Sequence, residues 1–266
     1  MRTRRKERSG RSRSPEEWIY GLNPVLEALR AGRKISSVYL SASRTGKIGE
    51  LDQELSNRGI EARKADESFF EERFSKGHQG IAARVEPRSY AALDELLLIP
   101  ETKAEIPLFL ILDGIEDPRN FGSILRVADA GGVHGMVIQS HRSASLTPEA
   151  VKTSAGASEY VQISMVPNIK HAMRAMQESG ITIIGAEAEG AMTVWNTDLT
   201  VPVALVVGSE AGGMRRTVKE YCDRIVRLPM LGSVNSLNAS VATGVIVFEI
   251  MRQRMRKNEH YAGKTA

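Results

Sequence analysis

Residues 107–140, "PLFLILDGIEDPRNFGSILRVADAGGVHGMVIQS", decide the fold. They open with a continuous apolar run, Leu108 to Leu112, of the kind that forms a strand buried on both faces. A polar turn leads into the helical pattern "SILRVADAGG", and "GMVIQS" is a second buried strand. Strand, helix and strand in that order form a parallel βαβ unit. The alternation continues. "PEAVKTSAGA" precedes "YVQISMV", "NIKHAMRAMQESG" precedes "ITIIGAEA", and "VPVALVVGSE" follows. A helix near Arg216 to Cys222, a strand in "RIVRLPM" and a long helix from about Ser236 to Lys257 complete the pattern. Residues 107–257 are therefore expected to form an α/β domain with a mostly parallel sheet and helices on both faces.

Upstream, residues 18–87 read as a smaller α/β unit. "NPVLEALRAG" supplies Asn23 as N-cap, Pro24 at the first helical position and Gly32 as the stop. "SSVYLS" is a short strand, "KIGELDQELSNRG" a helix closed by Gly59, and "GIAARVEP" a strand ended by Pro87; the sheet should be at least partly parallel. Residues 88–106 hold a short helix in "SYAALDELL" and then a linker, marked by the prolines and mixed charges of "IPETKAEIP". Residues 258–266 are a C-terminal tail.

The formal net charge of +4 is carried by the N-terminus. Residues 1–17 form a basic arm in which Arg2, Arg4, Arg5, Lys6, Arg8, Arg11 and Arg13 precede the body of the chain, which is slightly acidic. Such an arm is too polar to fold alone and attracts polyanions, nucleic acid foremost, although a purely solubilising tail has the same composition. The single Cys222 excludes an intrachain disulfide framework, a thiolate cluster and a CxxC pair, and suits a reducing cytosol. No apolar run approaches the roughly 18 residues of a membrane span, so a soluble cytoplasmic protein without membrane partners is expected.

In open α/β sheets ligands bind where strands end and loops begin. Three loops qualify: "DGIEDPRNFGSILR", "VGSEAGGMRR" and "PMLGSVNSLNAS". The first lacks the GxGxxG of a dinucleotide site, having only Gly114 and Gly122, and its helix carries Arg126 on the second turn. Arg126 suits either a phosphate or a surface ion pair. Glu210 in the second loop can accept bonds from a substrate or cap the next helix. In the third, Ser236 is a good N-cap and Asn238 falls in the first turn, where side-chain amides are poor helix formers. Apolar positions 237, 241, 245, 248 and 255 of that helix recur at roughly helical spacing among small residues, which allows packing on its own domain and on a second subunit. The five histidines show no HExxH spacing, which argues against a metal centre. There is no GxSxG elbow and no GxxxxGK[ST] loop. The 14 aromatics show no RNP-like cluster for stacking bases, and "HQG" at 78–80 is most simply a turn.

Together the three loops resemble the three motifs of the SpoU (TrmH-type) RNA ribose 2′-O-methyltransferases of the SPOUT class. "DPRNFGSILRVADAGGVHG" is similar to motif 1, "LVVGSEAGGM" to motif 2 and "RLPMLGSVNSLNASVATG" to motif 3. "YGLNPVLEAL" and "HQGIAARV" resemble the family's L30e-like RNA-binding domain, so the likeness covers nearly the whole chain except the basic arm. Asn235 and Ala239 depart from the family pattern at positions that carry no chemistry. Among subfamilies the likeness is greatest to the RlmB-like enzymes, which modify a guanosine of 23S rRNA.

The resemblance implies a C-terminal SPOUT domain with a trefoil knot and an active site built across a homodimer. It implies S-adenosyl-L-methionine (SAM) held largely by backbone groups at Gly208, Leu228 and Leu237. Arg126 stands at the position of the family's catalytic arginine, and Asn120, Glu210, Ser236 and Asn238 match its other polar positions. The expected activity is methylation of a ribose in RNA, most readily a 23S rRNA guanosine. The alternatives are a tRNA ribose and a catalytically silent RNA-binding or ribosome-assembly factor.

Overall fold

The computed structural model describes residues 16–43, 49–210 and 212–257. Nearly all of the basic arm and the whole C-terminal tail lie outside these residues. The first unit runs β1 (Glu17–Tyr20), α1 (Leu22–Arg30), β2 (Ile35–Ser41), α2 (Gly49–Asn57), β3 (Ala62–Ala65), α3 (Glu67–Glu71) and β4 (Ile81–Val85). Its four strands lie in the order β1-β4-β2-β3, with β2 and β3 parallel and the other pairs antiparallel. After α4 (Leu93–Lys103) come β5 (Leu108–Asp113), α5 (Pro118–Ala130), β6 (Gly135–Gln139), α6 (Pro148–Thr153), β7 (Ile163–Val166) and α7 (Ile169–Glu178). The chain ends with β8 (Thr182–Ala186), β9 (Met192–Thr193), β10 (Val203–Gly208), α8 (Arg216–Lys219), β11 (Arg224–Arg227) and α9 (Ala239–Lys257). The second sheet has the order β7-β6-β5-β10-β8-β11-β9, and every pairing in it is parallel.

Every residue of "LFLILD" is buried, because β5 lies inside this sheet with a helical layer on each face. On one side Leu110 and Leu112 pack with Phe121, Ile124 and Leu125 of α5 and Ile246 and Ile250 of α9. On the other, Phe109 and Ile111 meet Leu96 of α4 and Met173 and Met176 of α7. Each of these side chains contributes about 1.5–3 kcal/mol by leaving water.

Three sequence expectations change. The linker within 88–106 is largely α4, which continues through Pro100 to Lys103. Pro100 is buried, and Leu96 lies so close to Gly135 that a Cβ there would fall 2.4 Å from Leu96 Cδ1. Burial of this apolar face outweighs the one helical bond a proline removes. Next, α1 begins at Leu22, not after Asn23, because Gly21 turns the chain at φ 92°. Gln79 of "HQG" accepts from the Leu22 N–H at 2.9 Å, and Lys152 Nζ of the second unit lies 3.3 Å from the same oxygen, so this turn serves the structure. Finally, α5 starts at Pro118 under an Asp117 cap, whose carboxylate accepts from the Arg119 N–H at 2.8 Å. Asn120 thus lies in its first turn and Arg126 in its third.

Candidate active site

The carboxyl ends of β5 and β10 are neighbours, with Gly208 paired to Asp113, and the first two loops leave from this edge. Asn120, Glu210 and Asn238, one from each loop, meet there. Asn120 Nδ2 donates to Glu210 Oε1 at 2.7 Å. Asn238 Nδ2 donates to Asn120 Oδ1 at 2.9 Å and to Glu210 Oε1 at 2.5 Å. Asn238 Oδ1 accepts from the N–H groups of Ser240 and Val241 at 3.0 and 3.3 Å, and from Ser240 Oγ at 2.6 Å. Asn238 is therefore the N-cap of α9, and its suitability for a cap explains an amide that reads as misplaced within a helix. The cap expected at Ser236 moves two residues on. Ser236 is exposed and makes no hydrogen bond among the described residues.

This junction keeps spare capacity. Glu210 Oε2 is a free acceptor and Asn120 Nδ2 retains a second N–H among the described residues. A hydroxyl, both donor and acceptor, matches that combination. Arg126 is exposed and has no hydrogen-bond or ion-pair partner among the described residues. It lies about 120° around α5 from Asn120, so it does not join the junction within one chain.

The second loop is held by groups that the sequence reading missed. Asp113, whose side chain is fully buried, accepts from the Arg215 backbone N–H and from Arg215 Nε, both at 2.7 Å. Arg215 Nη2 reaches Gln139 Oε1 at 2.7 Å. Glu187 accepts from the Met214 N–H at 2.7 Å and pairs with Lys219 at 3.0 Å. The available signal was an aspartate ending an otherwise apolar strand. Ser209 and Gly213 exchange backbone bonds, closing the loop over Gly208, where a Cβ would lie 2.1 Å from the Gly213 carbonyl carbon. Glycine at 208 is thus required by the loop's own backbone.

From Met230 to Leu237 the third loop is exposed, and its backbone makes no hydrogen bond among the described residues. Leu228 packs half-buried against the core, whereas Leu237 is 40% exposed. An uncommitted backbone beside a glycine-tightened loop fits a cofactor gripped through main-chain groups. Among the described residues, no group of three or more His, Cys, Asp or Glu is placed to hold a metal ion. No helix among them is long and apolar enough to cross a membrane.

A buried parallel sheet with three loops knitted together at its carboxyl edge, beside a separate small domain, is the frame of an α/β enzyme that binds its ligand where the strands end. Residues 107–248 match the model of the SpoU rRNA methylase family, and residues 18–91 match that of the RNA 2′-O ribose methyltransferase substrate-binding domain. The chain belongs to the SpoU rRNA methylase family and is an RNA 2′-O-methyltransferase that uses SAM. It is 41% identical to the 23S rRNA (guanosine-2′-O-)-methyltransferase RlmB of Escherichia coli, over 90% of this chain and 99% of the relative. It is 39% identical to the putative TrmH family tRNA/rRNA methyltransferase YacO of Bacillus subtilis, over 90% and 96%. The structure of the SpoU methyltransferase AviRb of Streptomyces viridochromogenes with AdoMet superposes with a TM-score of 0.76 at 26% identity, covering 94% of both chains.

Proposed function

We propose that the enzyme methylates the 2′-hydroxyl of a guanosine in 23S rRNA, acting in the cytoplasm as a homodimer. The observation that carries the chemistry is the junction of Asn120, Glu210 and Asn238, with Arg126, unpartnered among the described residues, further along the same helix as Asn120. SAM supplies an activated methyl group on a sulfonium, held by the backbone at Gly208, Leu228 and Leu237. The ribose oxygen bonds to the methyl carbon as that carbon's bond to sulfur breaks, leaving a neutral thioether, and the hydroxyl proton passes to water. Arg126 grips the adjoining phosphate and stabilises the emerging alkoxide; its guanidinium does not give up a proton, so it is no general base. Asn120 and Glu210 orient the hydroxyl, Asn238 fixes Glu210, and Ser236 faces the substrate from the third loop.

The dimer reading rests on α9. Val241, Val245 and Phe248, spaced as one helical face, are 50%, 36% and 48% exposed, with Leu237 before them and Met255 beyond. A second copy of this face, related by a two-fold axis, covers such a strip. Such a dimer would let the partner's Arg126 serve a junction that the chain's own Arg126 does not join. The trefoil knot belongs to the same proposal. It is supported by membership of the SpoU family. The 23S guanosine is supported by the 41% identity to RlmB.

The test is methyl transfer from labelled SAM to unmodified 23S rRNA fragments and to tRNA. Incorporation at one 23S guanosine is expected. Incorporation into tRNA alone overturns the substrate, and no incorporation into either, with SAM bound, overturns the catalytic reading.

A further inference from the structure

The 14 aromatics look dispersed along the chain, but the first unit gathers six of them on one face of its sheet. Trp18 of β1 lies 5.4 Å from Tyr39 of β2 and 5.8 Å from Phe69 of α3, measured between ring centroids. Tyr39 stacks on Phe69 at 5.0 Å, and Tyr20 on Phe74 at 5.1 Å. Tyr20 and Phe70 are buried and serve as a small core. Trp18, Tyr39, Phe69 and Phe74 are only half-buried.

Three arginines cover the open part of this face. The guanidinium of Arg73 lies 4.5 Å from the Phe69 ring centroid, that of Arg84 5.1 Å from Trp18 and that of Arg63 5.9 Å from Tyr39. Their charges are poorly matched. Arg63 is exposed and has no carboxylate partner among the described residues, bonding only to the Tyr39 hydroxyl. Nε of Arg84 is buried without a hydrogen-bond partner, while its Nη1 lies 3.3 Å from Glu16. Arg73 has a single carboxylate partner among the described residues, the exposed Glu72 at 3.5 Å, and otherwise donates to the Phe69 carbonyl at 3.2 Å. In the sequence the seven bases of the N-terminal arm precede Trp18, the last of them, Arg13, by five residues.

The geometry points to this face as a stacking platform for unpaired nucleotides of the RNA substrate, separate from the methyl-transfer junction. The inference deepens the RNA-methyltransferase reading and rests on it. Half-buried rings under loosely held guanidiniums match what single-stranded RNA presents: flat bases for the rings and phosphates for the arginines. The guanidiniums shift from ring faces to phosphates as bases take their place. A duplex, whose bases are stacked internally, offers the rings nothing. The arm's charges add a sequence-independent attraction for RNA.

The test uses the full-length chain with Trp195→Phe, which leaves Trp18 as the single tryptophan. A mixed-sequence single-stranded oligoribonucleotide is titrated in while Trp18 fluorescence is followed, alongside a blunt RNA duplex of equal length. The single strand is expected to quench Trp18, and the duplex to quench it far less. The surface pair Arg63→Ala and Arg73→Ala, in the same background, weakens single-strand binding by about tenfold. It also makes the log-affinity against log-salt slope shallower by roughly 0.7 per guanidinium lost. Absence of quenching, equal quenching by the duplex, or an unchanged slope in the double variant overturns the platform. Methylation by the unsubstituted protein is measured separately: its loss breaks the enzymatic reading, while quenching alone judges the platform.

Discussion

The two ends of the parallel sheet treat polar groups in opposite ways. At the amino ends of the strands, α9 brings Arg254 down to four backbone carbonyls: Ile106, Pro107 and Val201 at 2.8 Å and Leu199 at 3.3 Å. Beside it His134 accepts from the Leu108 N–H through Nδ1 at 3.1 Å, which places its proton on Nε2, facing Glu105 at 3.1 Å. These groups are consumed in closing the fold. At the carboxyl ends, among the described residues, Glu210 has a free oxygen and the loop from Met230 to Leu237 keeps its backbone open, and further down α5 Arg126 is exposed and uncommitted. Groups left uncommitted and open to solvent where the strands end mark where a ligand completes the structure.

The largest effect that could break this comparison concerns its free arginine. Arg126→Ala is expected to lower methyl transfer by about 10²–10³-fold, with SAM affinity and melting temperature unchanged. A variant that melts earlier while its folded fraction stays active would move Arg126 to the structural end.

Arg254→Ala should do the reverse. Losing a charged donor to several half-buried carbonyls costs about 2–3 kcal/mol of unfolding free energy, read by urea denaturation, with normal turnover per folded molecule. Asn238→Ala sits between the two. The lost cap costs about 1 kcal/mol of stability, and methyl transfer falls as well because Glu210 loses a donor. A stability loss without a change in turnover would make the junction merely a cap.

The smallest effect is a pH dependence at the closed end. Burial pushes the His134 imidazole below its ordinary 6.5, against the opposing pull of Glu105. The unfolded chain then binds this proton more readily than the folded one. Stability contributed here is full above about pH 6.5 and falls as the solution is acidified. Denaturation at stepped pH should show that fall, and His134→Gln should flatten it.

Much of this contrast is written locally, and what is written locally was legible. The buried run "LFLILD" and the βα alternation give the parallel sheet, and Asn120, Glu210 and Asn238 stand in three loops that follow its strands. What escaped depends on distant partners. Residues 92–103 read as a short helix and a linker because Pro100 argues against helix, whereas the burial of Leu96 against Gly135 decides the matter. Ser236 and Asn238 are both good caps by chemistry, and only the position of Glu210 selects Asn238. Asp113 and Glu187 carry no motif, since their roles come from Arg215 and Met214 in another loop. The aromatic face is least legible, being assembled from β1, β2 and the segment around α3, which bring two, one and three rings.

The central claim, that the open carboxyl edge methylates a ribose hydroxyl of RNA, is tested most directly by the chemistry of the product. A 23S fragment treated with the enzyme and SAM is hydrolysed in alkali, which needs a free 2′-hydroxyl to cut the adjoining phosphodiester. The account predicts one new alkali-resistant linkage, at a guanosine, formed by the wild type and lost with Arg126→Ala. A methylated product that alkali still cuts at every position would place the methyl group on a base and contradict it.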